Sequence, residues 1–435
     1  MPKPLRLAVG VLGAALAASA VRRPPRPGVA PLPADFRWGV ALAGVQSEGH
    51  CPDSNWRRYS EQHAPTVSDE IGDTADWFCH VEEDVARAKD LGIGTFRYSV
   101  EWARTQPAPG ELDPEGFAFY DKVIDTIEAT GLKPMITLDH WVYPGWLADR
   151  GGWLCDDVVE LWLQHARRVV ERYAGRDVTW ITINEPGIYV GFERRNRKLG
   201  RMEVGTMKRR LVEAHRGAYA LVKSLDPGAL VTSNIAYLPA PLNLIDDRWF
   251  FDQTIDTMDF LGIDYYYGLS VGNPTVVNDL VGRLWRIRTQ PDGLLHALRI
   301  YHRKAPHLPI WIVENGICTD NGKPRSDGLT RSDHLLDHLY YLQRAADEGI
   351  PVMGYNYWSL TDNYEWGSYR PRFGLYRVDV LTDSAKTRHE TDGVATYRAA
   401  IARNGVPEGY RPVRREAWGS PAAPWSTTLG RLTHQ

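Results

Sequence analysis

The chain has 435 residues, 43% hydrophobic and 24% charged, which is enough apolar material to close a sizeable core and too much for a disordered segment. Its 51 Lys+Arg against 54 Asp+Glu leave a net charge of −3 with no block of like charge, so nothing suggests a nucleic-acid partner. Cys51, Cys79, Cys155 and Cys318 are scattered and form no CxxC pair, which argues against a zinc ribbon or a disulfide framework and reads as mostly buried free thiols.

The first 20 residues carry Lys3 and Arg6, an uncharged stretch from Leu7 to Ala20, and the small residues Ala18-Ser19-Ala20 at its end. That layout is a secretory signal peptide or hydrophobic leader, shorter than the ~20 residues a membrane span needs. It places the protein outside the cytoplasm, secreted or at the cell envelope. A cytoplasmic enzyme with an unstructured extension is the alternative, and Arg22, Arg23 and Arg26 are unusual directly after a cleaved signal. A Pro/Arg-rich linker covers 21–33, a single domain 34–415, and a Pro/Ser/Thr-rich tail 416–435.

Within the domain, eight short apolar runs recur: Phe36–Gly44, Thr95–Trp102, Lys133–His140, Val178–Glu185, Ala229–Tyr237, Phe260–Tyr267, Leu308–Glu314 and Val352–Leu360. Stretches with helical spacing separate them, such as "CHVEEDVARAKDLGI" and "DDVVELWLQHARRVVERYAG". Strands alternating with helices give an α/β fold with a parallel sheet, and eight of them close a (β/α)8 TIM barrel. An open doubly wound sheet fits the alternation too, but no Gly-rich nucleotide fingerprint follows the first strand.

In such a barrel the chemistry sits at the C-terminal ends of the strands. The first strand leads to Gln46, the second carries Arg97, and the third ends in His140-Trp141. The fourth ends in Asn184-Glu185-Pro186, the sixth in Asp264 and three tyrosines, and the seventh in Glu314-Asn315-Gly316. The eighth runs into Trp358, Glu365 and Trp366. One glutamate at a strand end is ordinarily a polar cap paired with an Arg. Two of them, each beside an Asn, supply what retaining glycoside hydrolysis needs: one carboxylate to attack the anomeric carbon and one carboxylic acid to protonate the leaving oxygen.

The chain resembles glycoside hydrolase family 1, the β-glucosidase and β-galactosidase family of (β/α)8 barrels. The resemblance runs from "FRWGVALAGVQSEG" through "FRYSVEWAR", "TLDHW", "TINEP", "FLGIDYYYG" and "IVENG" to "WSLTDNYEW" and "RFGLYRVD", over about residues 35–410. "AGVQSEG" and "DSNW" look closer to the archaeal-type branch. By this resemblance Glu185 is the acid/base, Glu314 the nucleophile, and Asn184 the donor to the sugar 2-hydroxyl. Gln46 and His140, with Trp141 beside them, correspond to the residues that hold the 3- and 4-hydroxyls. Glu365 and Trp366 correspond to those that grip the outer hydroxyls, Trp358 to the aromatic floor, and Arg97 and Tyr266 to the groups beside the nucleophile. The implied substrate is a small β-glycoside or oligosaccharide, with no metal or organic cofactor and no membrane partner beyond the leader. Arg97 near Glu314 would keep it ionised, while Glu185 needs a raised pKa to begin protonated.

Departures from the family pattern are Asp264 in place of the usual Asn, "HWVYP", and a shortened "EWGSYRPRFG"; the last two are expected near the cleft mouth. Glu365-Trp366 argues against phosphorylated sugars, and Glu185 against a thioglucosidase. A transglycosylase using the same pair remains open, and a catalytically silent sugar-binding barrel is disfavoured because both glutamates are present. "GLSVG" at Gly268–Gly272 satisfies the serine-hydrolase elbow pattern, but Asn273-Pro274 follows where a helix should open at Ser270. His334 and His338 have the spacing of metal ligands on a helix, but no HExxH surrounds them, and a solvated helix face is expected.

Overall fold

The computed structural model describes residues 28–237, 247–268, 275 and 282–414. The expected leader at 1–20, the tail from 416, and Ser270 of the elbow motif lie outside the described residues. Of the expected linker, Leu32 is buried, and its N–H donates to the Asn404 carbonyl at 3.0 Å. No described helix is long and apolar enough to cross a membrane.

The first four apolar runs form β1 (Arg37–Ala41), β2 (Thr95–Ser99), β3 (Lys133–Asp139) and β4 (Thr179–Ile183). The fifth run breaks into β5 (Val231–Thr232) and β6 (Ile235–Ala236). Then follow β7 (Leu261–Asp264), β8 (Ile310–Asn315), a two-residue β9 (Thr319–Asp320) and β10 (Val352–Trp358). The sheet runs β5-β4-β3-β2-β1-β10-β8-β7-β6 with every pairing parallel. Its two terminal strands belong to one run of chain, so the sheet closes on itself as an eight-position barrel with helices outside.

Local chemistry explains the elements. In the helix Val158–Tyr173, the buried side chains Val158, Trp162, Ala166, Val169, Val170 and Tyr173 recur at helical spacing and face the sheet. Pro114 starts the helix Pro114–Ala129 where its missing N–H costs nothing, and the Asp113 side chain accepts from the Glu115 N–H at 2.9 Å. Inside the barrel, Met135, Ile181, Trp311, Val313 and Phe260 make a separate buried cluster, so the strands read as continuous apolar runs because both of their faces are covered.

Two irregularities matter for what lies above. The polar pair Ser233-Asn234 interrupts the fifth run; the Ser233 hydroxyl donates to the Ile183 carbonyl at 2.6 Å, and the Asn234 carbonyl accepts from the Glu185 N–H at 3.1 Å. Between β7 and β8 the register slips after Ile263–Ile312, so Asp264 lies opposite Glu314 and Val313 is the extra residue of a bulge.

Two expectations need correction. His334 and His338 are fully buried in the helix Arg331–Asp347, with ring centroids 3.9 Å apart, so they do not form a solvated face. Burial holds both well below the ordinary imidazole pKa, and the described residues offer them no third metal-binding side chain. Among the cysteines only Cys155 and Cys318 are buried; Cys51 is half-buried and Cys79 exposed.

Gly316, just past β8, supports the site sterically. A Cβ there would sit 1.9 Å from the carbonyl oxygen of Trp358. Gly316→Ala should therefore destabilise the fold by roughly 1–3 kcal/mol, as overpacking does, and thermal unfolding of the purified variant checks this.

Candidate active site

Glu185 follows β4 by two residues. Its N–H still bonds to Asn234 on the neighbouring fifth run, but its own backbone is left-handed at φ 38°. Its carbonyl then accepts from the Tyr189 N–H at 3.0 Å, and Pro186 opens the helix Pro186–Arg197. A non-glycine residue in this conformation, just before proline, costs about 1–3 kcal/mol. Here the turn swings the carboxyl out of the strand direction into the cleft. Trp141 and Trp366, which line the same cleft, are also left-handed, at φ 68° and 46°.

Glu314 is held from two sides. The Arg97 guanidinium donates to Oε1, and the Tyr266 hydroxyl donates to Oε2 at 2.6 Å. Arg97 also donates to the Asn184 side-chain oxygen at 2.6 Å and to Thr137 Oγ1 at 3.1 Å. The same Asn184 oxygen accepts from the Asn234 amide at 2.6 Å. With that oxygen doubly engaged, the Asn184 amide nitrogen is the group left to donate.

One oxygen from each of Glu185, Asp264 and Glu314 lies within 4.8 Å of the others. Oxygens that close fit the ~5–5.5 Å carboxyl separation of a retaining pair. Burial, then the charge of Glu314, holds the Glu185 carboxyl well above the ordinary carboxylate range. Asp264 is pushed up by burial and by both glutamates. Burial, with Glu314 second, raises Glu365 to about 8.

Aromatic side chains build the walls. Trp366 stacks on Trp141 with centroids 4.1 Å apart, and the His140 ring lies nearly parallel to both Trp358 and Trp366. The Trp141 indole N–H donates to the Asn184 carbonyl at 2.7 Å, fixing the third and fourth strand ends together. The cleft holds about 990 Å³ of free space including its open mouth, and Ile188, Phe192, Leu284, Ile287 and Phe373 are among the apolar side chains that line it.

The structure brings most of the expected residues together: His140, Trp141, Asn184, Glu185, Tyr266, Glu314, Trp358, Glu365 and Trp366 all line this cleft. Arg97 is fully buried and reaches the cleft through Glu314 and Asn184. Gln46 departs from expectation: it is fully buried and absent from the cleft lining, and its amide donates to Asn363 Oδ1 at 3.2 Å. Its Oε1, His140 Nδ1 and Glu365 Oε2 are nevertheless buried acceptors or donors without a protein partner, and buried polar atoms of that kind call for an explanation. "HWVYP" also departs. Val142 and Tyr143 are buried away from the cleft, and the Tyr143 hydroxyl donates to Glu193 at 2.9 Å, so that change concerns packing rather than the mouth. Asn234 escaped the sequence reading; its only signal was a polar pair inside an apolar run.

The profile of Glycosyl hydrolase family 1 matches residues 29–214 and 252–406. β-Glucosidase A of Thermotoga maritima is 26% identical over 446 residues, spanning 86% of this chain and 98% of that protein. The chloroplastic galactolipid galactosyltransferase SFR2 of Arabidopsis thaliana is 28% identical over 350 residues, spanning 71% of this chain and 55% of that protein. The structure of the Thermotoga maritima β-glucosidase in complex with castanospermine superposes with a TM-score of 0.74 at 25% identity, covering 87% of this chain and 99% of that one. With the profile spanning most of the barrel and both glutamates at its strand ends, the chain belongs to glycosyl hydrolase family 1.

Proposed function

We propose that this retaining β-glycosidase removes terminal β-D-glucosyl or β-D-galactosyl residues, with Glu314 as nucleophile and Glu185 as acid/base. The observation that carries this reading is the pair itself: two carboxyl oxygens within 4.8 Å, one gripped by Arg97 and Tyr266, the other group pushed well above its ordinary pKa by burial. In the first step Glu314 bonds to the anomeric carbon while the Glu185 proton moves to the departing oxygen. The Glu314 charge is then consumed in the ester, which removes the second cause of the raised Glu185 pKa. Glu185 can stay ionised, take a proton from water, and return it at the next turnover. Two inversions at one carbon give net retention.

The proposed sugar contacts follow the unsatisfied atoms. The Asn184 amide faces the 2-hydroxyl. His140 Nδ1, Gln46 Oε1 and Glu365 Oε2 face the outer hydroxyls, and Trp358 lies under the ring. The apolar part of the cleft lining supports an aglycone with a flat or aliphatic face. It equally supports a non-aqueous acceptor, and the relative named as a galactosyltransferase favours transglycosylation as a second reading. For location, export through the N-terminal leader remains our proposal from the sequence.

A panel of nitrophenyl β-glycosides on the purified protein tests the substrate class, and NMR should show the β-anomer as first product. Glu314→Ala should abolish turnover, with partial return of activity on adding azide; near-normal turnover would remove Glu314 from the role. Glu185→Gln should slow poor leaving groups by about 10²–10⁴-fold and activated ones far less. Glu365 is protonated in the fold up to about pH 8 but ionises near 4.5 when unfolded. Its contribution to stability is therefore fully present below about 4.5 and lost as pH rises toward 8. Glu365→Gln should flatten the pH dependence of the thermal midpoint across that window.

A further inference from the structure

The chain after β1 runs through Gln46 to His50 and lies against the turn that opens the helix Trp77–Asp90. The Phe78 N–H donates to the Glu48 carbonyl at 2.9 Å. A Cβ on Gly49 would sit 2.4 Å from the Asp73 carbonyl oxygen, so a glycine is what lets the two segments come this close. Their contact gathers His50, Asp76 and Cys79, with one donor atom from each lying within 4.8 Å of the others. His50 Nε2 stands 3.3 Å from Asp76 Oδ1, yet that oxygen is buried with no hydrogen-bond partner. The two atoms are close without the alignment of a hydrogen bond, as two ligands converging on a third centre would be. Asp76 is the N-cap of its helix, but its side chain caps no N–H, because the Phe78 amide goes to Glu48 and the Cys79 amide to the Asp76 carbonyl. At the other ring nitrogen, Asp73 Oδ1 lies 3.9 Å from His50 Nδ1, the place of a carboxylate that orients a metal-bound imidazole. Asp73 and Asp76 pair with His50 and, among the described residues, with no Lys or Arg; Lys122, whose charge acts on Cys79, is paired with Glu82 at 2.8 Å.

We propose that the His50 imidazole, the Asp76 carboxylate and the Cys79 thiolate bind one zinc ion outside the glycosidase cleft, with Asp73 orienting the imidazole. One nitrogen, one oxygen and one sulfur ligand suit a borderline-soft ion such as zinc rather than calcium or magnesium, which take oxygen. Ligands ~2.0–2.3 Å from a tetrahedral zinc stand roughly 3.3–3.8 Å apart, so the 3.3 Å pair is already at that separation. Cys79 is exposed and His50 half-exposed, which leaves the fourth position to water. An open depression lined by His50, Asp73, Glu61 and Glu70 gives the ion a path of approach. On binding, the Cys79 thiol gives its proton to water and the ion gains a thiolate, with no change of oxidation state. None of the three ligands lines the catalytic cleft, so the ion takes no part in glycoside chemistry. It fastens the segment that carries Gln46 to the start of the helix Trp77–Asp90. No zinc motif announces it in the sequence, because the fold assembles the ligands from two separate segments.

The test titrates the reduced, full-length protein, stripped with EDTA and dialysed, with zinc chloride and, as a spectroscopic probe, cobalt(II) chloride. One zinc should bind per chain and raise the thermal midpoint. Cobalt should show a thiolate charge-transfer band and the strong visible bands of tetrahedral coordination. Cys79→Ser should remove the charge-transfer band. That variant and His50→Gln should each weaken zinc binding by about 100-fold or more, and Asp73→Asn by about tenfold. Cys79 is exposed, so its serine variant keeps the fold in which binding is read. Cys51→Ser should bind zinc as the parent does, which separates this site from the neighbouring thiol. The buried carboxyls Glu185, Asp264 and Glu314 are the other cluster that could take a cation. Binding there would give a cobalt spectrum without the thiolate band and would persist in Cys79→Ser, and that result overturns the proposal. So does a zinc affinity unchanged by Cys79→Ser and His50→Gln, or the absence of stoichiometric binding to the parent protein.

Discussion

Among the described residues, Arg97 is the cation that grips the carboxyl cluster, and the site is organised around it. Its guanidinium is fully buried on β2 and spends its donors on Glu314, Asn184 and Thr137. Buried charge is tolerable only when it is paired and hydrogen-bonded. Glu314 receives that pairing, while burial pushes Glu185, Asp264 and Glu365 above the ordinary carboxylate range. Two chemically identical side chains thereby stand in different surroundings, one held by Arg97 and Tyr266 and the other raised by burial and by its neighbour, the difference on which our proposed nucleophile and acid/base roles rest.

The barrel makes this arrangement rigid. Parallel strands bring their ends to one face, and each carboxyl is fixed by the backbone on both sides of it. The departures from regularity fall where the chemistry is. The broken fifth strand lets Asn234 reach Asn184 and Asp264; the β8 bulge sets Asp264 against Glu314; the left-handed turn at Glu185 aims its carboxyl inward. Strain and irregularity of this kind persist only where surrounding packing over-determines them.

Much of this was legible before any coordinates. Apolar runs bounded by polar strand ends located all eight barrel positions, because a strand covered on both faces must be apolar throughout and must end where chemistry or solvent begins. What was not legible was depth and direction. Gln46 reads as an open cleft residue but is fully buried, with its amide on Asn363 and its Oε1 unpartnered, and Tyr143 reads as a mouth residue but bonds to Glu193. His334 and His338 read as a solvated face because no HExxH surrounds them and the segment falls on an outer helix. Their burial depends on a helix being packed on several sides at once, including by the helix Asp392–Arg403.

By itself the sequence determined the barrel, the two glutamates and the aromatic floor, since each is written in local order: period, strand end, flanking residue. Only the tertiary structure decided which carboxyl is paired with Arg97 and which is raised by burial. That choice depends on distances between β2, β4, β7 and β8, residues 97 to 314, that a bulge of one residue controls. Electrostatic energy at such separations changes over a few ångströms in a low-dielectric interior, and no linear pattern of residues records those few ångströms.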